Sequence, residues 1–221
     1  MSAQTALSGL VTPEGCAVLV QELQNGVVGA EAALPALADA VRTTGVIERA
    51  ASVLGAARQA DIPVIHCTAE NLPDGFGTNH NARLFESARR LGLENRPGSP
   101  SVAPVSQLGP ADSDLVMPRL HGLSPMTGSP LDALLRNQGI ECLVVLGVSL
   151  NLAIPNLVFD AVNRSYRVVL VADAVVGVPV EYGHQVIEHS LSLVSRVVMA
   201  DELIEAWAEF NGQDAESERS S

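Results

Sequence analysis

Short runs of Val, Ile and Leu recur along the chain and alternate with stretches of helical periodicity. Such runs are typical of strands buried on both faces of a parallel sheet, and the stretches between them are typical of helices that cover those faces. The alternation predicts an α/β fold, a three-layer α/β/α sandwich around a mostly parallel sheet of about six strands. The predicted strands are 17–20, 63–67, 115–117, 142–147, 168–172 and 196–199.

Helices are predicted between the strands, at 45–59, 131–137, 156–163 and 181–194. In the first of these, Val46, Ala50, Val53 and Ala57 recur on one face, as an amphipathic helix requires. A chain of 221 residues, of which 47% are hydrophobic, is long enough for one core, so we expect a single domain over residues 1–210. The polar residues 211–221 predict a disordered tail.

The charge balance limits the partners that the chain can have. The net charge of −12 offers no cationic surface for nucleic acid or for an anionic membrane, so we expect neither. Neither a signal-peptide pattern nor an apolar run of about 18 residues occurs, which predicts a cytoplasmic protein. A small-molecule ligand and another copy of the chain remain as the expected partners.

The cysteines and the basic residues carry further information. Cys16, Cys67 and Cys142 are an odd number, lack metal-like spacing and lie in or beside apolar runs, which predicts buried, reduced thiols. All 13 basic residues are arginines. Chemistry that needs a lysine is therefore excluded.

Ligands of an open parallel sheet bind outside the carboxyl ends of its strands. That rule selects the loops 21–26, 68–81, 118–127 and 148–156. The first and third contain Glu22 and Arg119, which could meet across the end of the sheet. The fourth leads to Pro155 in a first helical turn, where free backbone N–H groups would form a cradle for an anion or oxyanion.

Three segments, in order, resemble motifs of the isochorismatase-like cysteine hydrolases, a superfamily that includes nicotinamidases, N-carbamoylsarcosine amidases and isochorismatases. The likeness runs from about Ala17 to Trp207. Later Asp-Ala pairs, at 160–161 and 173–174, agree with it. The three segments are AVLVQELQN from 17, like the family's strand with Asp-x-Gln-Asn; DLVMPR from 114, like the strand that leads to a lysine; and GVSLNLAI from 147, like Gly-Val-x-Thr-Asn-x-Cys-Val.

The resemblance places Glu22, Arg119 and Ala153 at the family's catalytic Asp, Lys and Cys positions. It implies a cysteine that attacks a carbonyl or nitrile carbon, but the methyl group of Ala153 is no nucleophile. Glu22 keeps the carboxylate one methylene further out, and a shift of about 1 Å can cost about 100-fold in rate. Arg119 stays charged at any accessible pH and can clamp an anion but not shuttle a proton.

Two hypotheses follow. The first is a hydrolase that acts on a small polar or anionic metabolite without a cysteine nucleophile, with Glu22 as acid or base and Arg119 as anion clamp. Isochorismatases set a precedent by resemblance, since members can lack the cysteine and use the acidic residue as proton donor. The alternative is an inactive pseudoenzyme, a ligand-binding or assembly subunit, in which Glu22 and Arg119 form a salt bridge that fills a vacated pocket. The resemblance also implies a homo-oligomer, a dimer or larger.

Further residues are candidates for substrate binding, and each has a plainer interpretation. His121 could act as base or donor, or be an ordinary loop histidine. His80 lies in a Gly- and Asn-rich loop that could form a lid or merely a turn. Ser149, Leu150 and Asn151 resemble positions that shape the family's oxyanion region. We expect no cofactor, and no metal, because the Asp-x-His pair of zinc-binding members is missing after Gln24.

Overall fold

A computed structural model of the chain describes the backbone of residues 3–30, 32–91 and 95–219, and the side chains of residues 6–30, 32–91 and 95–210. Six strands form one sheet in the order β3-β2-β1-β4-β5-β6, and all neighbouring strands are parallel. All six predicted strands are confirmed. They are β1 (Cys16–Gln21), β2 (Val64–Ala69), β3 (Leu115–Arg119), β4 (Cys142–Val148), β5 (Arg167–Val176) and β6 (Arg196–Val198).

Helices connect and cover the strands. The described helices are α1 (Ala3–Ser8), α2 (Asn25–Val28), α3 (Pro35–Thr44), α4 (Val46–Gln59), α5 (Arg83–Arg90), α6 (Leu131–Asn137), α7 (Ala153–Asn163), α8 (Val180–His189) and α9 (Ala200–Arg219). The four predicted helices correspond to α4, α6, α7 and α8. The last of these ends five residues earlier than predicted, at His189, and a short 3-10 turn (Leu191–Leu193) follows it.

The C-terminal helix α9 begins within the predicted domain and continues to Arg219. Its backbone therefore enters the segment 211–221 that the sequence predicts as a disordered tail. The side chains of that segment lie outside the described residues, and its disorder stays a prediction. No helix in the described part of the chain has the length and the apolar composition needed to cross a membrane.

Alternating strand residues build a separate core on each face of the sheet, as the two-residue period of a strand requires. On one face Val18, Val64, Val144 and Val169 pack with α4 and α9; on the other, Leu19, Ile65, Leu143 and Leu170 pack with α6 and α7. Because β1 and β4 are buried on both faces, their residues read as continuous apolar runs. The predicted three-layer α/β/α sandwich is confirmed.

The strand order locates the best place for a ligand. From β1 the chain builds outward through β2 to β3, and from β4 it builds outward in the opposite direction through β5 to β6. The direction therefore switches between β1 and β4, and ligands of open α/β sheets generally bind beside such a switch point. Glu22 and Ala153 lie in these two loop regions.

Candidate active site

Glu22 follows β1 directly and has a backbone conformation that residues with a side chain rarely adopt. Its φ is 52°, in the left-handed region, where strain costs roughly 1–3 kcal/mol. Its N–H donates to the carbonyl of Cys67 on β2 at 2.9 Å. The chain thus leaves β1 through a strained turn that is tied to the neighbouring strand.

Gly147 brings β4 very close to β1 at the same level. Its φ is 113°, and a Cβ built on it would lie 2.1 Å from the carbonyl oxygen of Gln21 and 2.8 Å from its nitrogen. No larger residue fits there. This glycine lets the loop after β4 start directly beside the residue that precedes Glu22.

Glu22 and Arg119 form an ion pair across the end of the sheet. Nη2 of Arg119 lies 2.5 Å from Oε1 of Glu22, and the two side chains are only 10% and 15% exposed. Arg119 is paired in register with Ala69 of β2, so its guanidinium group reaches across β2 to the residue after β1. The prediction that these side chains can meet is confirmed.

Further hydrogen bonds fix the pair on one side only. Nε2 of Gln21 donates to the same Oε1 of Glu22 at 2.7 Å, and Nη1 of Arg119 donates to the carbonyl of Gly122. Within the described residues, Oε2 of Glu22 accepts no hydrogen bond. One carboxylate oxygen is therefore anchored, and the other is available to water or a ligand.

The loop from β4 to α7 is shaped by the segment that follows β5. The N–H of Leu150 donates to the carbonyl of Val176, the last residue of β5, at 2.9 Å. The amide of Asn151 donates to the carbonyl of Val178 at 2.6 Å and accepts from its N–H at 2.8 Å. The N–H of Ala153, the first residue of α7, donates to no acceptor among the described residues. A free N–H at a helix N-terminus attracts negative charge, so the expected cradle has a donor.

The predicted substrate-binding residues of this loop have different surroundings. Leu150 is 1% exposed and packs in the core. The side chain of Asn151 is committed to Val178. The hydroxyl of Ser149 makes no hydrogen bond to any described residue, which leaves it the most available of the three. Their contacts with substrate stay predictions.

The rings of the two predicted histidines are not bonded to the ion pair, although the carbonyl of His121 accepts from Nη1 of Arg119 at 3.5 Å. His121 is exposed, and its ring packs on Gly128, where an added Cβ would lie 2.1 Å from Nε2. His80 is exposed and lines a cavity beside α5. The structure gives neither ring a hydrogen bond to Glu22 or Arg119, and their roles stay predictions.

Cys67 lies near the ion pair but is not a replacement nucleophile. Burial raises the pKa of its thiol to about 12, with smaller and opposing effects of Arg119 and Glu22. A thiol with that pKa is protonated at neutral pH and unreactive. Cys16, Cys67 and Cys142 are all free and buried, which confirms the prediction of reduced core thiols.

Two polar residues beside the pair were not predicted as site residues. Gln21 is 0% exposed, and its Oε1 has no hydrogen-bond partner among the described residues. An amide at the end of an apolar strand was the signal that could have identified it. Oδ1 of Asn79 accepts the N–H of Gly122 at 2.7 Å, which ties the loop after β2 to the loop that holds Arg119. Nothing in the composition of its loop distinguishes Asn79.

Three cavities of the described residues lie away from the ion pair. Their volumes are about 420, 310 and 620 Å³, and none of the three is lined by Glu22, Arg119 or Ala153. No three His, Cys, Asp or Glu side chains of the described residues are grouped as metal ligands. The absence of a metal in the working protein stays a prediction.

The sequence of the isochorismatase domain matches residues 16–202 of this chain. The chain belongs to the isochorismatase family. Among curated relatives in this family, a ureidoacrylate amidohydrolase RutB of Methylorubrum extorquens is 30% identical over 169 residues, which cover 71% of this chain and 68% of that protein. The protein of the same name from Pseudomonas syringae pv. syringae is 29% identical over 174 residues, or 73% of this chain and 71% of that protein.

Two solved structures share the fold of this chain. A cysteine hydrolase from Pseudomonas syringae pv. phaseolicola superposes with a TM-score of 0.76 at 20% identity, covering 90% of this chain and 95% of that one. N-carbamoylsarcosine amidase from Thermoplasma acidophilum superposes with a TM-score of 0.67 at 21% identity, covering 85% and 97%. At this identity the likeness shows the fold alone.

Proposed function

We propose that this chain is a hydrolase of the isochorismatase family that cleaves a small polar or anionic metabolite without a cysteine nucleophile. The observation that carries the proposal is the asymmetric carboxylate of Glu22: Gln21 and Arg119 both bind Oε1, and Oε2 is left open. A base needs this combination of fixed position and an unoccupied oxygen. The relatives named ureidoacrylate amidohydrolases favour an acid that bears a ureido or carbamoyl group as substrate.

Water takes the place of the thiol in the reaction we propose. Oε2 of Glu22 accepts a proton from a water molecule while the water oxygen bonds to the substrate carbonyl carbon. The carbonyl electron pair moves onto oxygen, and the N–H of Ala153 at the start of α7 stabilises that oxyanion. The C–N bond then breaks, and the proton on Glu22 passes to the leaving nitrogen.

Arg119 positions Glu22 in this scheme rather than transferring protons. One of its nitrogens binds Oε1 and another binds the carbonyl of Gly122, so the carboxylate is held from one side. Both contacts are charge-assisted, which makes them stronger and shorter than neutral hydrogen bonds. The guanidinium group also supplies the positive charge that an anionic substrate requires nearby.

A substrate panel tests the proposal. The purified full chain is incubated with carbamoyl and ureido acids, simple amides and an enol ether, and the released product is measured. Glu22→Gln should reduce kcat by at least about 100-fold, because positioned proton transfer contributes about that much. Glu205→Gln, which changes an exposed glutamate on α9, is the matched control and should keep full activity. Equal turnover by wild type and Glu22→Gln would refute the scheme.

A non-catalytic role is the second candidate, and the closed ion pair favours it. Glu22 and Arg119 are mostly buried against each other, and none of the three cavities above is lined by them. A subunit that binds a ligand elsewhere, or that serves in assembly, would need no open site at the ion pair. Binding of a panel compound away from the ion pair, with no turnover of any panel compound, would favour this candidate.

Association of copies of the chain is a further part of the proposal. The edge strand β3 leaves Leu115 and Val116 half exposed, at 49% and 51%, and such apolar surface on an edge strand commonly packs against a partner. Three free cysteines fit the reducing cytoplasm that we propose as its compartment. Light scattering should give a multiple of the 23.1 kDa chain mass, and a monomer at all concentrations would contradict the association.

A further inference from the structure

A cavity of about 420 Å³ lies at the carboxyl end of β5, and none of Glu22, Arg119 and Ala153 lines it. The volume is within the range of small-molecule sites, which are mostly apolar with a few polar groups. Every lining residue lies at 44, 150 or 172–199, in parts of the chain that the structure describes. Most of the wall is aliphatic and comes from β5, α8 and the loop after β4: Leu150, Val175, Val176, Val180 and Ile187.

Helix α8 gives the cavity an apolar end and a polar mouth. Val180, His184, Ile187 and Glu188 all line it, and their spacing places them on one face of the helix. The helix lies close to the loop after β4, because a Cβ added to its Gly183 would be 3.0 Å from Cδ1 of Leu150. Leu150 is buried, whereas His184 and Glu188 are exposed. The cavity is therefore apolar inside and polar where it opens to solvent.

The charged side chains of this wall are the carboxylates of Asp173 and Glu188, with His184 as the remaining titratable group. Nε of Arg49 lies 3.6 Å from Oδ2 of Asp173, but its Nη1 also lies 3.4 Å from Oδ1 of Asp201, so that one arginine faces two acids. The ion contact of Glu188 is with its exposed neighbour, a histidine, at 3.9 Å. With the net charge of −12 on the chain, the mouth repels anions and attracts cations.

We propose that this cavity binds a small amine that carries an apolar ring. The ring enters the aliphatic interior, and the ammonium group stays at the mouth beside Asp173 and Glu188. Met199 lines the cavity and is 47% exposed, and its thioether makes favourable contacts with aromatic rings. The ammonium group keeps much of its water at the mouth, so the contribution of Glu188 to affinity is modest.

The cavity shares its wall with a segment that shapes the candidate active site. The N–H of Leu150 donates to the carbonyl of Val176, and both residues line the cavity. The amide of Asn151 is held by Val178, two residues after β5. A bound amine therefore contacts the loop that leads to Ala153. The binding itself does not depend on the proposed hydrolase activity.

Calorimetry with tryptamine, tryptophol and indole-3-acetate tests the proposal, because these compounds share an indole ring and differ in charge. The full chain should bind tryptamine at millimolar concentration, bind neutral tryptophol severalfold more weakly and bind indole-3-acetate most weakly. Glu188→Gln should weaken tryptamine binding about threefold, as expected for an exposed ion pair, and should leave tryptophol binding unchanged. Glu181→Gln changes an exposed acid on the same helix outside the cavity wall, and this matched control should bind tryptamine like wild type.

Thr44→Trp tests the place of binding. Thr44 lines the cavity and is exposed at the end of α3, so a ring there should fill the mouth, leave the core intact and lower the affinity for tryptamine at least about tenfold. Thr43→Trp, at the neighbouring exposed position outside the wall, should bind like wild type.

Three results would each overturn the proposal. They are no binding of tryptamine to wild type at millimolar concentration, binding of indole-3-acetate as tight as that of tryptamine, and equal affinities for tryptamine within either pair of matched variants. Because no turnover is measured, failure of the hydrolase scheme leaves this test unaffected.

Discussion

Glu22 and Arg119 share a contact of 2.5 Å through a single carboxylate oxygen, with both side chains mostly buried. Replacing Glu22 by Gln leaves the guanidinium group buried without its counter-ion. Losing one partner of such a pair costs about 3 kcal/mol, so we expect Glu22→Gln to lower the free energy of unfolding by about that amount. Urea denaturation measures the change, with the exposed Glu205→Gln as a control expected to stay within about 0.5 kcal/mol of wild type.

Removing both charges should be milder than removing one. In Glu22→Leu/Arg119→Leu no uncompensated charge remains, and apolar replacements of a buried pair are often nearly neutral. The double variant should therefore be more stable than the sum of the two single changes predicts. Strict additivity in urea denaturation would show that the two residues do not interact in solution.

Two glycine substitutions should have opposite effects. Gly147→Ala forces a Cβ to within 2.1 Å of a backbone oxygen of β1 at a φ of 113°, so we expect more than about 3 kcal/mol of destabilisation or no folding. Gly55→Ala lies in α4 with nothing within 4 Å of the added Cβ, and should stabilise by up to about 1 kcal/mol. Thermal unfolding of both variants checks this. Equal effects would contradict the close approach of β4 to β1.

The native thiols should not react readily with a thiol reagent, whereas a cysteine placed at Ala153 should react. Burial raises the pKa of Cys67 and of Cys142 to about 12 and raises that of Cys16 further. Native protein should thus react slowly with a thiol reagent, and denatured protein should show three thiols. Ala153→Cys, at a helix N-terminus that favours the thiolate, should add one fast-reacting group. Rapid reaction of the native wild type would contradict the buried positions.

His66, Asp114 and Arg58 form a buried cluster below the edge strand β3. Nε2 of His66 lies 3.0 Å from Oδ2 of Asp114, and Nη2 of Arg58 lies 2.7 Å from the same oxygen. Burial lowers the pKa of His66, although its hydrogen bond to Asp114 opposes this. Burial raises the pKa of Asp114, but hydrogen bonds from Arg58, His66 and a backbone N–H outweigh it and hold the pKa below 3.8.

The lowered pKa values of His66 and Asp114 both predict that the protein becomes less stable as the pH falls. Below pH 6.5, the ordinary pKa of His66, the unfolded chain takes up a proton that the native chain resists, so the free energy of unfolding decreases by up to about 1.4 kcal/mol per pH unit. The contribution of Asp114 is lost only below pH 3.8. His66→Gln should flatten the decline that begins below pH 6.5, and the exposed His189→Gln should leave it unchanged. Identical slopes in urea denaturation would contradict the neutral, buried state of His66.

Much of the fold could be predicted because buried parallel strands are nearly continuous apolar runs. The runs that form β1 and β4 are buried at every residue. Glu22 and Ala153 follow these two strands, between which the strand order changes direction. Helix α5 was not predicted because its eight residues carry several arginines and no fully buried side chain. Such a helix has no apolar stripe for a sequence pattern to detect.

The contacts of the candidate site were harder to predict because they join distant residues. Asn151 binds Val178, 27 residues away, and that contact gives the amide a structural task that the family motif alone does not imply. The interaction of Arg119 with Glu22 spans 97 residues, but opposite charges at two strand ends made it predictable. The anchoring of Oε1 by Gln21 required the coordinates, because only the turn at Glu22 directs two neighbouring side chains toward each other.

Turnover of a carbamoyl or ureido acid by the wild-type chain, with and without prior alkylation of thiols, tests the central claim most directly. The account predicts steady hydrolysis that iodoacetamide leaves unchanged and that Glu22→Gln reduces by at least about 100-fold. No hydrolysis by wild type above the level of Glu22→Gln across the panel, or hydrolysis that alkylation abolishes, would contradict a cysteine-free hydrolase that uses Glu22.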